Sequence, residues 1–357
     1  MHPEMNDTIL SAAGLPDSAQ LLAGQIDQPA ADGGAGPTPH AGATLDRLTA
    51  HTDPWAAASR LQGEFAGGMT HDGGRRALLI SDRFASHSLC WRVIDGRIHV
   101  AARADELAAL APRAEIDPQA LFDYLYFHVI PSPRTIFRGV HRLPPATLAR
   151  FDDGGLDARP YWQPRFTEPA SADFAALAAS FRRLLREAVG CALDGSKAAC
   201  YLSGGTDSST VAGLIGEVAG RAASTYSIGF EAQGYDEMEY ARIAARHFEC
   251  DHHEYYVTPA DLVASIADVA AHYDQPFGNS SALPAYYCAR MAREDGVTRI
   301  LAGDGGDELF GGNSRYAQGR VFAHYARVPH WLRRGLLEPL FESAWIRQTP
   351  GLKKGSS

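Results

Sequence analysis

Residues 200–210, Cys200-Tyr201-Leu202-Ser203-Gly204-Gly205-Thr206-Asp207-Ser208-Ser209-Thr210, constrain this chain more than any other stretch. The apolar run Ala198-Ala199-Cys200-Tyr201-Leu202 leads in and reads as a buried strand. Val211, Leu214, Ile215 and Val218 lead out, spaced i, i+3, i+4, i+7, one face of a helix. A glycine pair therefore sits at a strand-to-helix turn with hydroxyls on both sides. Such a turn offers backbone N–H groups and the positive end of a helix dipole to an anion, and glycine lets the anion come close. No Gly-Lys-[Ser/Thr] follows, so this is not the Walker-type phosphate loop. It carries a carboxylate instead, Asp207. A carboxylate beside a phosphate is repulsive unless a divalent cation bridges them, which implies Mg²⁺. The glycines alone are better explained as an ordinary turn of an α/β domain.

A second glycine-rich turn adds weight. The stretch Arg299-Ile300-Leu301-Ala302 reads as a strand and runs into Gly303-Asp304-Gly305-Gly306-Asp307-Glu308-Leu309-Phe310-Gly311-Gly312. Carboxylates among glycines make neither a core nor a regular element, so the alternatives are a solvated turn or a cation loop. If both turns follow strands of one sheet, Asp307 joins Asp207 in holding Mg²⁺ on a triphosphate. Neither turn alone carries that conclusion.

The surrounding pattern supplies the sheet. Strands at about 223–229, 253–257 and 297–302 alternate with helices at about 236–248, 259–272 and 283–295, after a helix at 173–193 that starts at Asp173. Alternation of this kind predicts a parallel sheet with helices on both faces, with ligands at the carboxyl ends of its strands. Upstream, Leu61–Ala66, Ala77–Ile80 and Ile98–Val100 read as short strands of an antiparallel sheet. Asp117 caps a helix over 117–127, with Pro118 in its first turn. Pro131, Pro133, Pro144, Pro145 and Pro160 suggest a crossing segment between domains. Residues 1–46, rich in Ala, Gly, Pro and Asp, are expected to be poorly ordered, apart from a strand or helix near Ile9-Leu10 or Leu21-Leu22. The expected domains are 1–165 and 170–357, and no internal repeat is visible.

Composition narrows the function classes. A net charge of −9 does not suggest nucleic acid or an anionic membrane as partner. Five scattered cysteines, Cys90, Cys191, Cys200, Cys250 and Cys288, fit neither a disulfide framework nor a zinc site. No apolar run reaches the length of a membrane span. The first 46 residues lack Lys and Arg, so no secretory signal is expected and the cytoplasm is the default.

The Ser-Gly-Gly-x-Asp-Ser arrangement resembles the pyrophosphate loop of ATP pyrophosphatases, and the wider sequence resembles the asparagine synthetase family. Its residues are Tyr201–Ser209, then Ser227-Ile228-Gly229-Phe230 with Asp236-Glu237 and Ala241. Asp274-Gln275-Pro276-Phe277 with Ser280-Ser281-Ala282-Leu283-Pro284 follows, and Gly303–Gly312 closes the set. Asp82-Arg83-Phe84, Thr135–Val140, Leu143-Pro144-Pro145 and Tyr161-Trp162 resemble the latter part of that family's amino-terminal domain. The resemblance implies an α/β fold: a parallel-sheet ATP-pyrophosphatase domain preceded by a degenerate antiparallel α+β glutaminase domain of the N-terminal-nucleophile type. It implies that Leu202, Ile228, Ala302 and Gly303 contact ATP. Ser203, Gly204, Gly205 and Ser208 would cradle its phosphates, and Asp207 and Asp307 would bind Mg²⁺. Asp304 stands where the family usually has a Glu implicated in forming the aspartyl-adenylate. His252-His253-Glu254 also resembles a family stretch, and reads as structural.

Two departures accompany the resemblance. The family's glutaminase uses a cysteine exposed by removal of Met1, whereas His2 follows Met1 here and no cysteine precedes Cys90. The segments that would clamp glutamine are also missing, so glutaminase activity is expected to be absent. At the other end the chain stops at Lys353-Lys354-Gly355-Ser356-Ser357, where the family continues with a catalytic Lys and further Arg. Lys197 is the one other lysine. A truncated carboxyl end is expected, with ATP binding but little or no pyrophosphate release. The leading expectation is an asparagine synthase-like ligase that makes an acyl-adenylate, most simply β-aspartyl-AMP, and then aminates it with ammonia or an amine. The alternatives are a related amide-forming ligase, of the β-lactam synthetase or lasso-cyclase type, and an inactive fragment that binds nucleotide. The resemblance leaves room for a homodimer.

Overall fold

In the computed structural model, the described residues are 18–27, 41–153, 155–167, 171, 173–193, 195, 197, 199–230, 238–312 and 314–339. Strands and helices occur in the order β1 (Ser18–Asp27), α1 (Ala41–Ala50), α2 (Pro54–Ala58), β2 (Gln62–His71), β3 (Arg76–Ser81), β4 (Cys90–Ile94), β5 (Arg97–Ala101), α3 (Ala104–Ala108), α4 (Pro118–Phe127), β6 (His141–Arg142), β7 (Thr147–Asp152) and β8 (Gly155–Pro160). They continue with α5 (Phe174–Ala192), β9 (Ala199–Tyr201), α6 (Thr206–Ala219), β10 (Ser224–Phe230), α7 (Met238–His247), β11 (Asp251–Val257), α8 (Pro259–His272), α9 (Ala282–Glu294), α10 (Gly306–Phe310) and α11 (Ser314–Ala326). Described residues within Met1–Leu184, Ile228–Tyr235 and Tyr255–Thr298 cluster as one compact unit. Those within Leu185–Ser227, Asp236–Glu254 and Arg299–Ser357 form a second.

In the first unit a five-stranded antiparallel sheet runs β1-β2-β3-β7-β8, and a small sheet runs β5-β4-β6. The period-2 rule explains how the larger sheet is covered. Leu78, Ile80 and Leu148 join Leu45 and Leu48 of α1 in one core, while Ala77, Leu79, Ala149 and Phe151 join Ile98 and Val100 of β5 in another. Buried on both faces, the middle of β3, Ala77–Ile80, is an unbroken apolar run rather than an alternating one. Gly67 and Gly68 of β2 keep the layers close, since a Cβ would meet Leu45 at 3.2 Å in one case and Val100 at 3.0 Å in the other.

Asp82, only 1% exposed, anchors the turn after β3. Its carboxylate accepts from the N–H groups of Phe65 (3.0 Å), Phe84 (2.8 Å) and Ser86 (3.0 Å), and its own N–H donates to the Phe65 carbonyl (2.9 Å). The Asp117 cap is present as expected, accepting from Gln119 N–H at 2.9 Å with Pro118 opening α4.

Residues 131–160, expected as a crossing segment, instead contain β6, β7 and β8, and β7 lies inside the larger sheet. The prolines mislead because they bracket strands: Pro144 and Pro145 precede β7, and Pro160 ends β8, where no ladder N–H is lost. The strand allowed for near Leu21-Leu22 is present as β1, which pairs along its whole length with β2, whereas α1 begins at Ala41, inside the stretch expected to be poorly ordered. Ile9-Leu10 lies outside the described residues.

In the second unit β9 pairs in parallel with β10, and the sheet order is β11-β10-β9. The helices expected at 173–193, 236–248, 259–272 and 283–295 correspond to α5, α7, α8 and α9, of which α8 and α9 belong to the first unit. The strand expected at 297–302 reduces to one parallel bridge, Cys200 to Leu301. Leu301 donates to the Ala199 carbonyl (2.8 Å) and accepts from Tyr201 N–H (3.0 Å), and the glycines that follow at once turn the chain away. Among the described residues, no helix is long and apolar enough to cross a membrane.

Substituting Asp82→Ala should lower the unfolding free energy by about 2–4 kcal/mol, since several buried N–H groups would lose their acceptor. Urea denaturation of the two chains measures this, and a change below about 0.5 kcal/mol contradicts the anchoring role.

Candidate active site

β9 ends in a fixed position. Cys200 and Leu202 are fully buried, Leu202 N–H donates to the Tyr226 carbonyl of β10 (3.0 Å), and the Ser227 hydroxyl donates to the Leu202 carbonyl. The turn beyond is braced by its own hydroxyls. The Ser208 Oγ accepts from Ser203 N–H (3.2 Å) and lies 3.0 Å from the Ser203 Oγ, which in turn accepts from Gly205 N–H (3.3 Å). Ser208 is nearly buried, so its hydroxyl serves as an internal post of the turn, while Ser203 and Gly205 are exposed.

Gly204 has φ +82°, and a Cβ there would lie 2.4 Å from the Ala241 nitrogen of α7. Both the left-handed backbone and the close approach require glycine. Gly205 then caps α6, whose first turn holds Thr206, Asp207 and Ser208, with N–H groups that no intrahelical carbonyl can reach.

The second glycine-rich turn lies against the first. A Cβ on Gly303 would stand 2.8 Å from the Ser208 nitrogen, and one on Gly306 would stand 2.4 Å from the Asp207 Oδ2. The Asp207 carboxylate therefore rests on the backbone of the residue just before Asp307. Gly305, at φ +88°, turns the chain into α10, whose first turn contains Asp307 and Glu308. Asp307 is itself held close to Gly312, where a Cβ would be 2.5 Å from its Oδ1. The structure thus brings Leu202, Ser203, Gly204, Gly205, Asp207, Ser208, Gly303 and Asp307 into two touching turns. Ala302 and Asp304 lie on the second turn and are exposed. Ile228 lies in β10, two residues beyond Tyr226, and clusters with the first unit. Asp236-Glu237 lies outside the described residues.

Among the described residues no group of three His, Cys, Asp or Glu side chains is placed to hold a metal ion by itself. Asp207 and Asp307 form no ion pair with Arg, Lys or His among those residues. Two carboxylates without a protein cation fit Mg²⁺, which keeps waters and takes phosphate oxygens beside one or two carboxylates.

One neighbour escaped the sequence reading. Tyr316 of α11, 47% exposed, has its phenol pushed above the usual range, first by partial desolvation and then by the charges of Glu308 and Asp307. It sits beyond the motif and belongs to no pattern that spacing would reveal.

His252, expected to be structural, has its Nδ1 2.8 Å from the Thr225 hydroxyl, and burial pulls its pKa down. Glu254 is engaged by Arg242 at 2.8 and 2.5 Å.

Residues 180–355 match the family model described as asparagine synthase, and residues 51–162 match the one described as glutamine amidotransferase domain. The chain is 27% identical over 283 residues to the glutamine-hydrolyzing asparagine synthetase 1 of Bacillus subtilis, covering 79% of this chain and 44% of that protein. It is 34% identical over 225 residues to a putative asparagine synthetase of Methanocaldococcus jannaschii, covering 62% and 43%. It is 28% identical over 274 residues to a Penicillium rubens protein called amidase chyE, covering 71% and 40%. The chain spans less than half the length of these curated relatives.

Gly306→Ala should leave the fold intact, because Gly306 needs no positive φ, yet its methyl must displace the Asp207 carboxylate. Titration calorimetry should show MgATP affinity lower by about tenfold or more, roughly 1.4 kcal/mol. Unchanged affinity would mean that Asp207 does not act from this position.

Proposed function

Matched in succession by the two family models, the chain belongs to the asparagine synthetase family, and from that premise we propose that its carboxyl-terminal domain is an ATP-dependent amide ligase acting on a small carboxylate. A carboxylate oxygen attacks the α-phosphorus of ATP, and the bond from that phosphorus to the bridging oxygen breaks, releasing pyrophosphate. An amine nitrogen then attacks the acyl carbon, loses a proton, and expels AMP with the acyl oxygen. Aspartate's β-carboxylate and ammonia are the simplest pair.

The observation that carries this reading is the seat of Asp207 on Gly306, which joins the two acidic turns in one place. The N–H groups of Gly204, Gly205 and the first turn of α6 suit phosphate oxygens. Leu202, Ala302 and Gly303 suit the nucleoside, and Asp207 and Asp307 would hold Mg²⁺, which neutralises charge on the phosphates when bound. Asp304 is proposed to act at the adenylation step. The main contribution of the protein is alignment of two reactants together with fixed N–H dipoles.

Ammonia from glutamine is not part of this proposal. Cys90, Cys200 and Cys288 are buried, with thiols pushed up by that burial, to about 12 for Cys200 and Cys288. A thiol of that kind forms thiolate poorly, and Cys90 is the one cysteine within 51–162, the stretch matched as an amidotransferase domain. The similarity to a protein called an amidase favours keeping a second reading, the same adenylation with a different acid and amine.

Asp207→Asn and Asp307→Asn should each weaken MgATP binding by about 1–3 kcal/mol, the scale for losing a charged partner. Whatever pyrophosphate release the parent chain shows above the low level expected from its sequence, Asp304→Glu should keep it and Asp304→Ala should abolish it. Calorimetry and a coupled pyrophosphate assay over a panel of acids test these, and full activity in Asp304→Ala removes that residue from the step. Incubation with glutamine should release no glutamate above buffer background. Enzymatic glutamate release by this chain would sink the glutaminase-free reading.

A further inference from the structure

Within the second unit, α7 touches the first glycine-rich turn directly. A Cβ on Gly204 would fall 2.4 Å from the Ala241 nitrogen and 2.6 Å from the Tyr240 Cβ, so the turn lies on the Tyr240–Ala241 peptide. Met238, Ala241 and Ala245 form the buried side of α7, and the two alanines let its backbone come close. A second close approach lies at the other end of the same helix. A Cβ on Gly213 of α6 would fall 2.6, 2.8 and 3.0 Å from the Cε1, Cδ1 and Cζ atoms of Phe248. Gly213 lies inside α6 without a positive φ, so its backbone does not call for glycine. The Phe248 ring does.

The base of that ring is fixed. Phe248 N–H donates to the Ala244 carbonyl (3.0 Å), which continues the last turn of α7. Glu249 then takes φ +52°, and Asp251 N–H donates to the Ala223 carbonyl (2.9 Å), fastening the chain to the sheet. His247 meets the ring edge-on, with centroids 4.7 Å apart. Tyr240 and Phe248 are eight residues apart, about 12 Å of helix. α7 is therefore held against the turn at one end and against α6 at the other. A helix held at both ends has one register, and close-packed interiors transmit a displacement rather than absorb it.

We propose that Phe248 is a positioning residue for nucleotide binding, which by resting on the bare backbone of Gly213 keeps α7 in the register that seats Tyr240–Ala241 against Gly204. It touches no substrate and acts through the shape of the turn. The inference rests on the nucleotide-binding reading above, in which the N–H groups of that turn meet phosphate oxygens. Such donors act by being held in place beforehand, so a small shift of their support lowers affinity.

The test uses the whole chain. By titration calorimetry, Phe248→Ala should weaken MgATP binding at least fivefold, and Phe248→Leu should fall between it and the parent. Gly213→Ala should also weaken binding at least fivefold, although alanine is the better residue for a helix interior, because its methyl displaces the ring. Adding Gly213→Ala to Phe248→Ala should change affinity less than twofold further, since the ring is already gone. Amide hydrogen exchange at Ser203 and Gly205 should speed at least fivefold in Phe248→Ala, with Leu202 and Leu301 within twofold. Unchanged affinity in Phe248→Ala and Gly213→Ala overturns the proposal, even if urea denaturation shows a loss of stability, and so does full additivity in the double variant. A parent chain without MgATP affinity sinks the nucleotide reading instead, and exchange at Ser203 and Gly205 still decides whether Phe248 braces the turn. Should Phe248→Ala fail to fold, Phe248→Leu and Gly213→Ala carry the same comparison.

Discussion

The close contact between two glycine-rich turns governs the carboxyl-terminal unit. The Asp207 carboxylate can rest on Gly306 only because no Cβ is there, and Gly303 can approach the Ser208 nitrogen for the same reason. Each turn hangs from a strand end or bridge in one small sheet: Leu202 from Tyr226, and Leu301 from Ala199 and Tyr201. Remove the glycines and the carboxylates separate; remove the bridge and the second turn loses its anchor. The N–H groups and carboxylates proposed to bind phosphate and Mg²⁺ are then held in place by backbone rather than by mobile side chains, which is what preorganisation for phosphate chemistry needs.

The hydroxyls in the first turn show how sequence chemistry divides the work. Ser208 looks outward in a linear reading, as one of several hydroxyls beside the glycines. In the fold its oxygen is enclosed, accepting from the Ser203 N–H, and it shapes the turn from within. The N–H groups of the turn and the exposed Ser203 remain as the surface proposed to meet a phosphate.

The amino-terminal unit is organised by a different constraint, the two-sided burial of β3. Its strands meet one apolar layer on each face, and Asp82 satisfies the N–H groups of the tight turn that follows. A buried carboxylate accepting several N–H bonds replaces the water that the turn would otherwise need. Arg142 lies in β6, the edge strand of the small sheet, and its guanidinium donates to the carboxylate of Asp274, in the same unit though far away in sequence.

Local chemistry alone determined much of this protein. The strand–turn–helix at 199–219, the Asp117 cap with Pro118, and helices α5 to α9 follow from spacing and capping residues that lie within a few positions of one another. The pairing of Asp207 with the Gly303–Gly312 turn was inferred from both turns following strands, and the structure sets them in contact through Gly306. What the sequence misjudged was long-range. β7 was mistaken for a crossing segment because prolines at its borders look alike whether they bracket a strand or fill a linker. The strand at 297–302 shrank to a single bridge because pairing depends on the neighbour's length, and β9 spans only Ala199–Tyr201. Tyr316 and the Arg142–Asp274 ion pair were invisible for the same reason. Tertiary packing selects such partners by where backbone brings them, and no periodicity along the chain encodes that distance.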